Sequence, residues 1–183
     1  MRRVKLEISD VSQGVMANNA YFLILRESYG IRKLSVMVGV AEAQSILMAM
    51  RGIRAPRPMM HDVYYTSLHT FDMTLREVVI YKVVDGVYYS SLVLVQGDRV
   101  ERIDARTSDA IALALRFEIP IYTLEDIIAR ECIHDNGGGS FSIPVSSINE
   151  EMLKNALDRA IRDENYELAA QLRDEMNRRR SGK

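Results

Sequence analysis

Residues 75–117 read LREVVIYKVVDGVYYSSLVLVQGDRVERIDARTSDAIALALRF, and this stretch decides the fold. Val78–Val84 is an apolar, β-branched run, and Asp85-Gly86 suits a type I′ turn, in which both central residues take positive φ. Val87–Val95 returns, Gly97-Asp98 turns again, and Arg99–Ala105 sets Val100 and Ile103 among charges. The pattern predicts a three-stranded antiparallel meander. From Ser108 to Phe117 the run is mostly apolar, which predicts a short buried helix.

Working back toward the N-terminus, the same grammar recurs. Val4, Leu6 and Ile8 alternate with polar neighbours, Ser12–Gly14 and Asn18-Asn19 are turn-rich, and Tyr21–Leu25 and Leu34–Val40 read as further strands. At Gly39 the period changes: Ala43, Ile46, Leu47 and Met50 recur at helical spacing up to Gly52. Pro56 and Pro58 make Arg54–His61 a connection. Asp62 is placed to cap a helix in which Tyr64, Leu68 and Phe71 share a face, and Thr123 to cap another near Leu124–Arg130.

Toward the C-terminus, Gly137–Ser140 is a flexible joint. Beyond Asn149, charges of both signs alternate around an apolar seam of Leu153, Ala156, Leu157, Ala160 and Ile161, and Asp163–Asn165 breaks the run before Ala169, Leu172 and Met176. Residues 149–180 therefore read as an antiparallel helical hairpin, too small to bury much alone, whose seam is expected to face a partner or a second copy. The expected class is α+β: a mixed, largely antiparallel sheet packed with several helices, plus the hairpin. The expected division is 1–130, a linker over 131–148, and 149–183.

Composition sets limits on function. Lys and Arg total 24 against 25 Asp and Glu, so the chain is not one whose main business is clamping duplex DNA through counterion release. The single cysteine, Cys132, excludes an internal disulfide and any multi-cysteine zinc site. Lys5, Glu7 and Asp10 interrupt anything like a signal peptide, and no run of about 18 apolar residues occurs. A soluble cytoplasmic protein with no membrane contact is expected.

Three constellations carry chemistry. Asp104-Ala105-Arg106-Thr107-Ser108-Asp109 lies where a strand meets a helix, so free N–H groups and an arginine could hold a phosphate while carboxylates hold a metal. The same residues also suit a local role, with Thr107 or Ser108 as N-cap, Asp109 facing the helix dipole and Arg106 paired to Asp104. Gly39-Val40-Ala41-Glu42-Ala43 is a second strand-to-helix junction with an acid in its first turn. Glu42-Ala43 and Asp109-Ala110 echo one another, as two related units whose helix starts converge would. Arg57-Pro58-Met59-Met60-His61-Asp62 is a proline-stiffened loop presenting a guanidinium, an imidazole and a carboxylate, equally suited to acid–base work or to capping the next helix.

Leu34–Ala43 (LSVMVGVAEA), Arg57-Pro58 with His61-Asp62, and above all Asp104–Leu115 (DARTSDAIALAL) resemble the bifunctional nuclease family, over about residues 4–128. The resemblance implies RNase and DNase activity on an oligomer-forming mixed α/β domain. Two positions depart from the family's pattern: Met60 stands where Thr is usual, and Thr107 where Pro is usual. Leu153–Met176, with Tyr166–Asp174 (YELAAQLRD), resembles the UVR motif of excision-repair proteins, a helical hairpin that binds another copy of itself in a partner.

These features together point to a hydrolase that cuts RNA or DNA with Mg²⁺ or Mn²⁺. Glu42, Asp104 and Asp109 would hold the metal. Arg57, Arg106 and Ser108 would bind the phosphate. His61, oriented by Asp62, would move a proton, with Arg106 and Asp109 completing the catalytic set. A homo-oligomer, a dimer first, and a UVR-containing partner are expected. The alternative is a non-catalytic oligomeric module that recruits repair or regulatory proteins through its tail.

Overall fold

In the computed structural model, residues 2–13, 20–135, 141–142 and 150–181 are described. Two meanders form the sheet: β1 (Arg3–Gln13), β2 (Ala20–Glu27) and β3 (Lys33–Gly39), then β4 (Thr74–Val84), β5 (Val87–Gln96) and β6 (Arg99–Arg106). Asp85 and Gly86 take φ of 49° and 76°, as the type I′ turn requires. Between the meanders lies β7 (Ile121–Leu124), antiparallel to β1 and parallel to β4, giving the order β3-β2-β1-β7-β4-β5-β6. The class is α+β, as expected.

Three helices fill one face: α1 (Val40–Met50), α2 (Met60–Thr70) and α3 (Thr107–Arg116). Leu23, Leu25, Val36 and Val38 from the first meander and Val78, Ile80, Leu92 and Leu94 from the second meet Ala43 and Ile46 of α1 and Ala110, Ile111, Leu113 and Ala114 of α3. In α2 only Leu68 is buried. A further helix, α4 (Glu125–Glu131), buries Ile127 and Ile128 and is tied to the β2–β3 turn through Arg32, which pairs with Glu27 at 2.8 Å and Glu125 at 2.6 Å.

Several local expectations shift. Ser12 and Gln13 continue β1 rather than turning, while the remainder of that turn, Gly14–Asn19, and the Gly137–Ser140 joint lie outside the described residues. Thr123 caps nothing: it sits fully buried in β7, its hydroxyl donating to the Ile80 carbonyl, and α4 begins after Leu124. Asp62 is the third residue of α2 rather than its cap, and its carboxylate accepts the Met59 N–H at 2.8 Å. Neither Thr107 nor Ser108 is an N-cap, since α3 starts at Thr107 itself.

The C-terminal hairpin pairs α5 (Glu150–Arg162) with α6 (Tyr166–Ser181), and Asn165 Oδ1 caps the second helix by accepting the Leu168 N–H. Its seam is closed by the two helices on each other, burying Leu153, Ala160, Ala169 and Leu172, whereas Ile161 is exposed and off the seam. Arg179 donates to the carbonyl of Asp85 in the β4–β5 turn. Among the described residues no helix is long and apolar enough to cross a membrane.

Thr107 locks α3 to the sheet. Its hydroxyl, 3% exposed, donates to the Tyr88 carbonyl at 2.9 Å and lies 2.7 Å from the fully buried Ser90 hydroxyl. Thr107→Val strands Ser90 without its partner and should cost about 1–3 kcal/mol, read as a lower urea midpoint. Because removing both hydroxyls leaves nothing unsatisfied between them, Thr107→Val with Ser90→Ala should recover part of that loss.

Candidate active site

At the end of β6 the chain turns from strand to helix, and this turn brings Asp109 back onto Arg106. Arg106 Nε donates to Asp109 Oδ2 at 2.7 Å and Nη2 to Oδ1 at 3.2 Å, a bidentate fork. Its third contact crosses to α1, Nη1 to Glu42 Oε1 at 3.0 Å. Glu42 and Asp109 are each the third residue of their helix, where an acid is favoured by the helix dipole. The echo between the two junctions is thus spatial, with one guanidinium joining the two helix starts. Asp109 first, and Glu42 after it, keep the Arg106 pKa above its ordinary value. Of its five N–H groups two remain unspent, and the side chain is 67% exposed.

His61 reaches the same carboxylate from α2, with Nε2 3.3 Å from Asp109 Oδ1 and Nδ1 3.2 Å from Ser45 Oγ. An ionised carboxylate only accepts, so the neutral ring carries its proton on Nε2 and accepts from Ser45 at Nδ1. Ser45, 2% exposed, also accepts from Arg116 Nη2 at 3.4 Å. Arg116 Nε in turn donates to Asp62 Oδ1 at 2.9 Å. One chain of polar contacts therefore runs through Asp62, Arg116, Ser45, His61, Asp109, Arg106 and Glu42, contributed by three helices and the end of one strand.

Several sequence expectations change here. His61 is oriented by Asp109 and Ser45, while Asp62 is held by the Met59 N–H and Arg116. Asp104 is not in the chain of contacts: Tyr81 donates to its Oδ1 at 2.8 Å, a bond that raises the phenol's pKa. Two residues along an extended strand span about 7 Å, whereas the helical turn folds Asp109 back within reach of Arg106. Glu42 and Asp109 meet a guanidinium rather than each other, and among the described residues no three His, Cys, Asp or Glu side chains are grouped to hold a metal ion. As they stand, these residues do not form a metal cage. Ser108 is half-buried and Arg57 exposed, and neither makes a side-chain hydrogen bond among the described residues. Met60 is highly exposed, and no hydrogen bond of the network passes through it.

Ser45 and Arg116 were not foreseen. The signal was present: Ser45 follows Glu42 by three and Arg116 follows Asp109 by seven, so each shares a helix face with a residue already suspected.

Comparison with known proteins covers both parts of the chain. Residues 23–136 match the family model described as bifunctional nuclease domain, and residues 151–180 match the UvrB/uvrC motif. An uncharacterized protein of Mycobacterium tuberculosis is 33% identical over 142 residues, covering 76% of this chain and 85% of the relative. Bifunctional nuclease 1 of Oryza sativa and the bifunctional nuclease of Oryza minuta are each 33% identical over 107 residues, covering 57% of this chain and 31% of theirs.

The ion pair behind the site has a pH signature. Partial burial pushes the Asp62 carboxyl up, but the Met59 N–H and Arg116 outweigh it and hold the group below its usual range. A depressed folded pKa contributes stability above the unfolded value, about 4, and loses it as pH falls through the folded value. Asp62→Asn should therefore be less stable than the parent near neutral pH, with the difference shrinking toward zero in strong acid. Urea midpoints measured across acid pH read this directly.

Proposed function

This chain belongs to the bifunctional nuclease family, and from that premise we propose that it hydrolyses phosphodiester bonds of RNA or DNA at the Arg106–Asp109–His61 cluster. One observation supports the reading above the others. A single carboxylate, Asp109, is gripped at once by an arginine at the end of β6 and a histidine of α2, while that arginine stays exposed with two N–H donors free. Arg106 binds the non-bridging oxygens of the phosphate and stabilises the charge that builds in the transition state. Asp109, its carboxylate held by the His61 Nε2–H, takes up the proton lost by the attacking water and returns it to the leaving oxygen, so one P–O bond forms and one breaks. Glu42 and Ser45 position Arg106 and His61. Arg57 and Ser108 remain candidates for the rest of the phosphate backbone. Mg²⁺ and Mn²⁺ enter only as variables of the assay.

Purified protein should digest RNA or DNA, and His61→Ala should slow it about 10²- to 10⁴-fold with circular dichroism unchanged. An Asp109→Ala preparation as active as the parent would point to a contaminating nuclease. Gly39 gives a subtler variant. A β-carbon there would stand 2.5 Å from Glu42 Oε2, the far end of a flexible side chain. Gly39→Ala should therefore leave the melting temperature nearly unchanged, displace Glu42 from Arg106 and lower turnover.

A second reading has its own observation: Glu42, Asp62 and Asp109 are each already paired with an arginine, as helix-clamping residues would be. On that reading the chain is a non-catalytic module whose tail docks a UVR-containing protein. A pulldown that depends on residues 149–180, with no hydrolysis under any metal, selects it.

A further inference from the structure

Between Glu42 and Asp62 the chain carries no acidic residue, yet it carries Arg51, Arg54 and Arg57. All three are exposed, and none makes a side-chain hydrogen bond or ion pair among the described residues. Elsewhere arginines are mostly paired; Arg3, Arg26, Arg32, Arg99, Arg106, Arg116, Arg178 and Arg179 all meet carboxylates. This strap of positive charge runs into α2, and Arg57 stands four residues from His61, at most about 14 Å of chain. Beside it is a concavity of about 290 Å³ lined by Pro58, Val63, Thr66, Ser67, Thr70 and Phe71. The hydroxyls of Thr66, Ser67 and Thr70 are turned back onto the helix, donating to the carbonyls of Asp62, Val63 and Thr66. What they leave outward is weakly polar surface, and Phe71, 64% exposed, presents an aromatic ring at its edge.

From this juxtaposition we infer that the 51–58 strap and the adjoining α2 hollow form a track for single-stranded nucleic acid, with the arginines on the phosphates and an unpaired base against Phe71. Unpaired arginines match a polyanion. The apolar hollow and exposed ring match a base face, which a duplex keeps stacked inside. The inference rests on the proposed hydrolysis for its purpose, because Arg57 lies four residues from His61 in the chain, but its binding chemistry stands apart from cleavage, since Val63, Thr66 and Thr70 lie on the face of α2 opposite His61.

The test uses the full chain and labelled phosphorothioate oligo-dT, which resists cleavage, so that binding is read whether or not the protein hydrolyses anything. Fluorescence anisotropy across salt gives the affinity and its slope. Arg51→Gln/Arg54→Gln/Arg57→Gln should weaken binding and shrink the slope of log K against log salt by about two, near 0.7 for each arginine. Phe71→Ala should weaken binding about fivefold or more with the slope unchanged, the loss of one base stack. Arg102→Gln, an exposed arginine on the edge strand, is the off-track control. Parental affinity and slope in the triple variant, an equal loss in Arg102→Gln, tighter binding of duplex, or equal competition by polyglutamate would each overturn the inference. Cleavage of nucleic acid by a protein with an inert strap would overturn the track alone; strap-dependent binding without cleavage would overturn the nuclease reading alone.

Discussion

Four residues hold the domain together. β7 is the shared neighbour of β1 and β4, and among the described residues no other strand joins the first meander to the second. Ile121 and Thr123 face the core, and Tyr122 pairs with Lys5 on one side and Val79 on the other. Without that insertion there would be two small sheets, each with a helix at the end of its third strand. With it, α1 and α3 lie side by side, and their first turns are close enough for one guanidinium to touch both.

The chemistry of the site follows from that geometry. Glu42 and Asp109 are both acids at the third position of a helix, a placement common for purely local reasons. Their approach makes the local preference collective, because two carboxylates side by side need a cation between them, and Arg106 supplies it. His61 then enters from α2, the helix that connects the two units and buries least. The histidine has a buried serine behind it and a carboxylate in front, so its ring is oriented although its helix is lightly packed.

Much of this was legible from residue order. Strand alternation and the Asp85-Gly86 turn specify the second meander, and the period change at Gly39 marks α1. The paired acids at the two junctions hinted at convergence. What stayed hidden depended on contacts between distant segments. Ile121–Leu124 is too short to show a period, and Thr123 beside a helix looks like a cap until Ile80 is known to lie next to it. Asp104 and Asp109 look equivalent in a list of residues, yet one is on a straight strand and the other on a helical turn. Arg116 carries no mark of its role in the sequence, because Asp62 and Ser45 reach it from other helices.

The position of β7 in the chain also constrains how the protein is made. Both meanders are complete by residue 106, but the strand that unites them is not synthesised until residues 121–124. A nascent chain emerging from the ribosome must therefore carry two incomplete halves, each with an open central edge, until its middle strand arrives last. Pairings that distant in sequence are slow to form, and edges left waiting invite pairing between chains. Strand order thus leaves both central edges open for as long as residues 107–124 take to emerge.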